Sequence, residues 1–282
     1  MCEKETSIMV APQAAASRAG FADVNGTRLF YEITGVGPSL TLIHGFSLDR
    51  RMWDDQYAAL AQRHRVLRYD LRGFGRSAVP GTASYSHAED LRALLAYLEI
   101  EHSTLIGFSL GGGIAISYAL AYPAAVDALI VAGCLLPGRR LSAELGASFG
   151  AIWLAGRAHG VAAARARWLQ HALFVPIRAQ PDLDARFTQM VSDYSGWEWA
   201  NKDPQRDLDP PPAQRLGEIR ARMLAIVGER DLPDFHAIAG LIQRDVLGAR
   251  RVVLPGVGHV VNMEAPERFN QLVTDFLAEQ DT

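Results

Sequence analysis

Six short apolar runs, at residues 40–43, 66–69, 104–106, 128–131, 223–227 and 251–254, most constrain the fold open to this chain of 282 residues. None alternates apolar with polar positions, and each stops near a Gly, Asp or Pro, the pattern of a parallel strand buried on both faces. Helical stretches separate them, at residues 51–63, 86–99, 111–121 and 266–279. Ser86 and Glu89 are spaced as a capping box at the start of the second. Ahead of the first run, residues 21–24 and 27–33 flank Asn25-Gly26, a dipeptide that supplies the positive φ angles of a two-residue hairpin turn. A hairpin followed by repeated strand–helix units predicts an α/β protein, a mostly parallel twisted sheet with helices on both faces.

Residues 138–215 break this rhythm. They read as helices near 142–159, 161–172 and 182–194, contain no strand pattern, and end in the stiff run Asp209-Pro210-Pro211-Pro212. The expected organisation is an N-terminal flexible tail over 1–20, a core in two pieces over 21–137 and 216–282, and a helical lid over 138–215. Four of the five tryptophans, Trp153, Trp168, Trp197 and Trp199, fall in that lid. Apolar pockets favour such boundaries, so Trp153, Trp197 and Trp199 are expected to bind substrate as part of a pocket wall.

Charge and cysteine usage narrow the partners. The net charge is −3, from 28 basic and 31 acidic residues, with no long run of either sign. This disfavours a nucleic-acid backbone or a polybasic membrane anchor and leaves a small molecule as the expected partner. No stretch has the apolar length of a membrane span or the make-up of a secretory signal. Cys2 and Cys134 are far apart, which offers neither a disulfide framework nor a metal site and predicts a reduced, cytoplasmic protein. Composition carries no information on the oligomeric state.

The chemistry centres on Leu105-Ile106-Gly107-Phe108-Ser109-Leu110-Gly111-Gly112-Gly113. A Gly-x-Ser-x-Gly string is common by chance, but here an apolar strand runs into Gly107 and a small-residue helix starts after Ser109. That is the strand–turn–helix that lifts a serine hydroxyl above the carboxyl edge of a sheet. The glycine run lacks the Lys-Ser/Thr of a phosphate loop and does not match a dinucleotide fingerprint.

A serine hydroxyl is a poor nucleophile near neutral pH unless an imidazole and a carboxylate activate it. Of eight histidines, His259 follows the last apolar run in Pro255-Gly256-Val257-Gly258-His259, while His64, His87, His102, His159, His171 and His236 lie on or beside helical stretches. Asp231, just after the run at 223–227, is the preferred carboxylate, with Glu229 and Asp234 as rivals. The order Ser109, Asp231, His259 is the one expected of this architecture. Oxyanion donors are expected from the backbone N–H groups of Leu110 and of Phe46, in the loop His44-Gly45-Phe46, with His44 holding that loop.

These motifs, with Arg51-Met52-Trp53, Tyr69-Asp70-Leu71-Arg72-Gly73-Phe74-Gly75-Arg76-Ser77, Gly228-Glu229-Arg230-Asp231 and Glu264-Ala265-Pro266-Glu267, resemble the alpha/beta-hydrolase superfamily. The core is most similar to beta-ketoadipate enol-lactonases and related carboxylesterases, and the Gly107-Phe108-Ser109 form to cofactor-free haloperoxidases. Haloalkane dehalogenases and epoxide hydrolases use an aspartate nucleophile where Ser109 stands. The resemblance implies a serine hydrolase of small esters or lactones that needs no metal or organic cofactor. Two alternatives stand beside it: hydrolysis of a carbon–carbon bond in a diketone, and a ligand sensor on a hydrolase scaffold.

Overall fold

A computed structural model describes residues 17–279. One eight-stranded sheet organises them, with strands β1 (Arg18–Val24), β2 (Thr27–Thr34), β3 (Ser39–Ile43), β4 (Arg65–Tyr69), β5 (Ser103–Phe108), β6 (Val126–Ala132), β7 (Arg222–Gly228) and β8 (Arg250–Leu254). Their spatial order is β1-β2-β4-β3-β5-β6-β7-β8. β2 pairs antiparallel with β1 and with β4, and every pair from β4 onward is parallel. All six residues of β5, the central strand that leads to Ser109, are buried. Its unalternating sequence follows, since both faces of the strand meet apolar neighbours.

The helices are α1 (Asp54–Leu60), α2 (His87–Tyr97), α3 (Leu110–Ala121), α4 (Ala143–His159), α5 (Val161–Leu169), α6 (Val175–Arg178), α7 (Pro181–Asp193), α8 (Trp197–Ala200), α9 (Pro233–Asp245), α10 (Val261–Glu264) and α11 (Pro266–Ala278). Helices α4 to α8 lie between β6 and β7, within the segment expected to be helical. Among the salt and polar links that tie this insertion to the core are Arg51 to Asp193 at 2.8 Å, Arg186 to Asp55 at 3.1 Å, and the Trp168 indole to Ser47.

Several expectations are corrected. The tail boundary at residue 20 falls inside β1, where Arg18, Ala19 and Gly20 pair with Ile33, Glu32 and Tyr31. Arg18-Ala19-Gly20 has no apolar alternation to mark an edge strand that takes its order from its partner. Residues 1–16, and Cys2 with them, lie outside the described residues. The helix expected over 51–63 divides into a 3-10 turn, Arg50–Trp53, capped by Asp49, and α1. At α2, Ser86 accepts from the Ala88 N–H as a cap, whereas Glu89 accepts from the Tyr122 hydroxyl instead of reaching back to Ser86. Helix α9, absent from the expected helices, starts at Pro233 directly behind the Asp231 loop, with the proline in its first turn.

Candidate active site

Four parallel strands deliver their following loops to one edge of the sheet, the usual location of sites in such folds. β5 ends at Phe108, and Ser109 takes φ 50° and ψ −111° before α3 begins. This left-handed conformation is strained for a residue with a side chain, and the Ser109 hydroxyl caps no helix N–H. The turn closes only because its flanks lack side chains. A Cβ on Gly107 would sit 2.3 Å from the Gly111 carbonyl oxygen, and one on Gly111 would sit 2.2 Å from the Ile43 carbonyl oxygen.

β8 leads to His259 and β7 to Asp231. His259 Nδ1 lies 2.9 Å from Asp231 Oδ2, and His259 Nε2 lies 3.3 Å from Ser109 Oγ. A carboxylate on Nδ1 fixes the proton there and leaves the Nε2 lone pair facing the serine hydroxyl. Asp231 Oδ1 accepts from the Leu232 N–H at 2.7 Å. All three side chains are buried, Ser109 at 7% exposure, and the imidazole packs between the Phe108 and Phe235 rings at 5.0 and 4.3 Å between centroids. The rival carboxylates are committed elsewhere: Glu229 accepts from the Gly256 N–H at 2.7 Å, and Asp234 from the Ser142 N–H and hydroxyl at 2.6 and 2.7 Å.

Phe46 and Leu110 line the same cavity as Ser109 and His259, and the N–H of neither meets an acceptor among the described residues. His44 Nδ1–H donates to the Gly45 carbonyl at 2.8 Å while Nε2 accepts from the Leu71 N–H at 2.9 Å. His44 therefore bridges two loops as a neutral ring, and complete burial lowers its pKa. A Cβ on Gly45 would meet the Phe108 ring at 2.6 Å, so only glycine lets this loop approach β5.

Ser109 and His259 open into a cavity of about 210 Å³, walled by Phe46, Phe108, Leu110 and Phe235 from the core and by Phe149, Trp153, Trp168 and Glu198 from the insertion. A larger cleft of about 730 Å³ lies between α4, α5 and the start of α9, without Ser109 or His259 on its wall; both residues line the smaller cavity. Trp153 lines the cavity as expected for a pocket tryptophan, but the other two expected there do not. Trp199 is fully buried behind the wall, 5.9 Å from the Phe46 ring, and Trp197 faces a surface groove with Pro80, Gly81 and Lys202. On a single helical turn, residues two apart project about 200° apart, so the two cannot share a face.

Two carboxyls escaped the sequence reading. Glu264 accepts from the Gly258 N–H at 2.7 Å and the Val260 N–H at 3.0 Å, the two amides that flank His259, and burial raises its pKa. Its place in Glu264-Ala265-Pro266-Glu267 was the available signal. Glu198 had none, since its position on the wall depends on the packing of α8. Among the described residues, no group of three or more His, Cys, Asp or Glu side chains is placed to hold a metal ion.

This chain belongs to the alpha/beta hydrolase family, whose sequence model matches residues 42–272. A dihydrolipoyllysine-residue acetyltransferase component of an acetoin cleaving system from Pseudomonas putida is 32% identical, over 95% of this chain and 71% of that protein. The solved enol-lactonase from Burkholderia xenovorans LB400 superposes with a TM-score of 0.77 at 26% identity, covering 92% of this chain and all of that one. Uncharacterized proteins of Mycobacterium tuberculosis and Mycobacterium bovis are 39% identical over 134 residues, a match that spans 46% of this chain and 39% of theirs. No helix among the described residues is long and apolar enough to cross a membrane.

Proposed function

We propose that this protein hydrolyses a small carboxylic ester or lactone through an acyl-enzyme on Ser109. The observation that carries this reading is the continuous contact from Ser109 Oγ to His259 Nε2 and from His259 Nδ1 to Asp231, opening into an apolar cavity. The serine oxygen attacks the carbonyl carbon as its proton passes to His259 Nε2, and Asp231 holds the resulting imidazolium. The Phe46 and Leu110 N–H groups receive the oxyanion, each such donor contributing roughly 3 kcal/mol to the transition state. The imidazolium then gives its proton to the departing alkoxide. Water, deprotonated by the same ring, attacks the acyl carbonyl, and as the acid is released the imidazolium returns that proton to Ser109 Oγ.

The cavity volume sets the scale of the substrate. At about 30 Å³ for each water-sized group, 210 Å³ holds roughly seven such groups, fewer than a drug-sized pocket does. The insertion acts as a lid over this space, because Phe149, Trp153 and Trp168 form its outer wall. Likeness to a solved enol-lactonase supports the same substrate class.

The test is a panel of short-chain p-nitrophenyl esters, small lactones and ring-cleavage diketones, run on the wild type and on Ser109→Ala. Ester or lactone turnover that the substitution abolishes is the expected result. Turnover of the diketones alone would replace the reading with carbon–carbon hydrolysis, and a fluorophosphonate probe that labels another residue would remove Ser109 as nucleophile. Single turnover with retained product would favour a sensor.

A further inference from the structure

Apart from Ser109 and His259, one residue on the wall of the 210 Å³ cavity carries an ionisable side chain, Glu198. It sits on α8, a single turn entered through Gly196 at φ +72° and anchored by the buried ring of Trp199. Its main-chain N–H donates to the Tyr194 hydroxyl at 3.3 Å. Among the described residues, no hydrogen bond or ion pair reaches its carboxyl.

The titratable and charged groups around it offer no compensation. Tyr194 at the end of α7 is held as a neutral phenol by burial. Asp203, in the segment after α8, adds a like charge and accepts from the Tyr85 hydroxyl at 3.3 Å. The Arg72 guanidinium beside them is bound to Asp90 at 2.6 and 2.8 Å. His259, on the same cavity wall, is engaged by Asp231 and Ser109.

An unpaired carboxylate against an apolar wall is costly, whereas the protonated acid offers one O–H donor and a carbonyl acceptor. We propose, building on the hydrolase reading above, that Glu198 acts as a neutral carboxylic acid that binds a hydroxyl or keto oxygen of the substrate. The preferred substrates are then small uncharged esters or lactones with a second oxygen function, and anionic acyl groups are rejected. Burial and the charge of Asp203 push the Glu198 carboxyl up to about 8, which keeps it protonated at neutral pH. A polar group buried in a site discriminates strongly because a substrate that lacks the matching atom leaves it unpaired.

The experiment compares ethyl 3-hydroxybutyrate with ethyl butyrate in a pH-stat assay, on wild type, Glu198→Gln and Glu198→Leu. The kcat/KM ratio of the hydroxy ester to the plain ester should fall about tenfold in Glu198→Leu and stay within a few-fold of wild type in Glu198→Gln. KM for the hydroxy ester should rise in the wild type above about pH 8, as Glu198 ionises, and stay flat in Glu198→Gln, which has no proton to lose. Equal losses on both esters in Glu198→Leu, the same alkaline rise in Glu198→Gln, or a preference for an ammonium-bearing ester would overturn the proposal. Equilibrium binding of the two esters to Ser109→Ala separates the two readings. Turnover that survives in Ser109→Ala sinks the hydrolase reading, and equal binding of the two esters sinks the role of Glu198.

Discussion

The indole Nε1–H of Trp168 donates to Ser47 Oγ at 2.6 Å, a buried bond between the insertion and the loop that carries the Phe46 N–H. Ser47 itself takes φ 61°, and the Phe46 ring is enclosed by Trp153, Trp168, Tyr194, Trp199 and Phe74 at 5.1 to 5.9 Å. The insertion thus does more than cover the cavity: it fixes one of the two proposed oxyanion donors.

Trp168→Phe keeps an aromatic ring and removes the donor. One neutral hydrogen bond is worth about 1 kcal/mol, so kcat on a short-chain ester should fall roughly fivefold to tenfold with little change in KM. Steady-state kinetics decide it; a changed KM with constant kcat would place Trp168 in substrate binding alone.

Asp231→Asn should leave the melting temperature close to wild type and lower kcat by about 10⁴, because an amide no longer enforces the Nδ1–H tautomer. Glu229 and Asp234 cannot substitute while they hold Gly256 and Ser142. Turnover within tenfold of wild type would assign the carboxylate role to another residue.

Glu264→Ala strands the Gly258 and Val260 N–H groups on either side of His259. Each unsatisfied buried donor costs about 1–3 kcal/mol, so the variant should lose both thermal stability and kcat. Glu264→Gln keeps one acceptor and should recover part of each. Calorimetry paired with kinetics checks this, and a stable Glu264→Ala with full kcat would refute it.

Glu198 also predicts a pH dependence of stability. Its folded-state pKa is raised from 4.5 to about 8, so the folded state holds this proton more tightly than the unfolded chain. That contribution is complete below pH 4.5 and is lost as pH climbs through about 8. Glu198→Gln should therefore melt progressively higher than wild type as pH rises from 5 to 9. Parallel melting curves across that range would contradict it.

Ser109, His259 and Asp231 could be singled out because each lies within five residues of the end of a strand, with a glycine in the same turn, so local sequence reports both the element and the turn after it. The same locality explains the Gly45-Phe46 loop. Trp197 could not be told from Trp168 in this way, since which tryptophan faces Ser109 is decided by how α5 and α8 dock, a matter of contacts between residues far apart in sequence. The start of β1 was hidden for a related reason: Arg18-Ala19-Gly20 becomes strand through the hydrogen bonds that Ile33, Glu32 and Tyr31 offer it. Glu198, polar in an apolar wall, runs against the pattern by which a pocket is read from sequence.

The hydroxyl and the imidazole that meet at 3.3 Å are 150 positions apart, on opposite sides of the insertion. Strands β1 to β6 can pair among themselves in the order the sheet requires, with β7 and β8 added at one edge. A nascent chain that has emerged as far as residue 215 thus contains Ser109 but neither Asp231 nor His259. Under the proposed mechanism, reactivity at this serine is acquired late in synthesis, once the edge strands dock, and the unfinished polypeptide carries an unactivated alcohol.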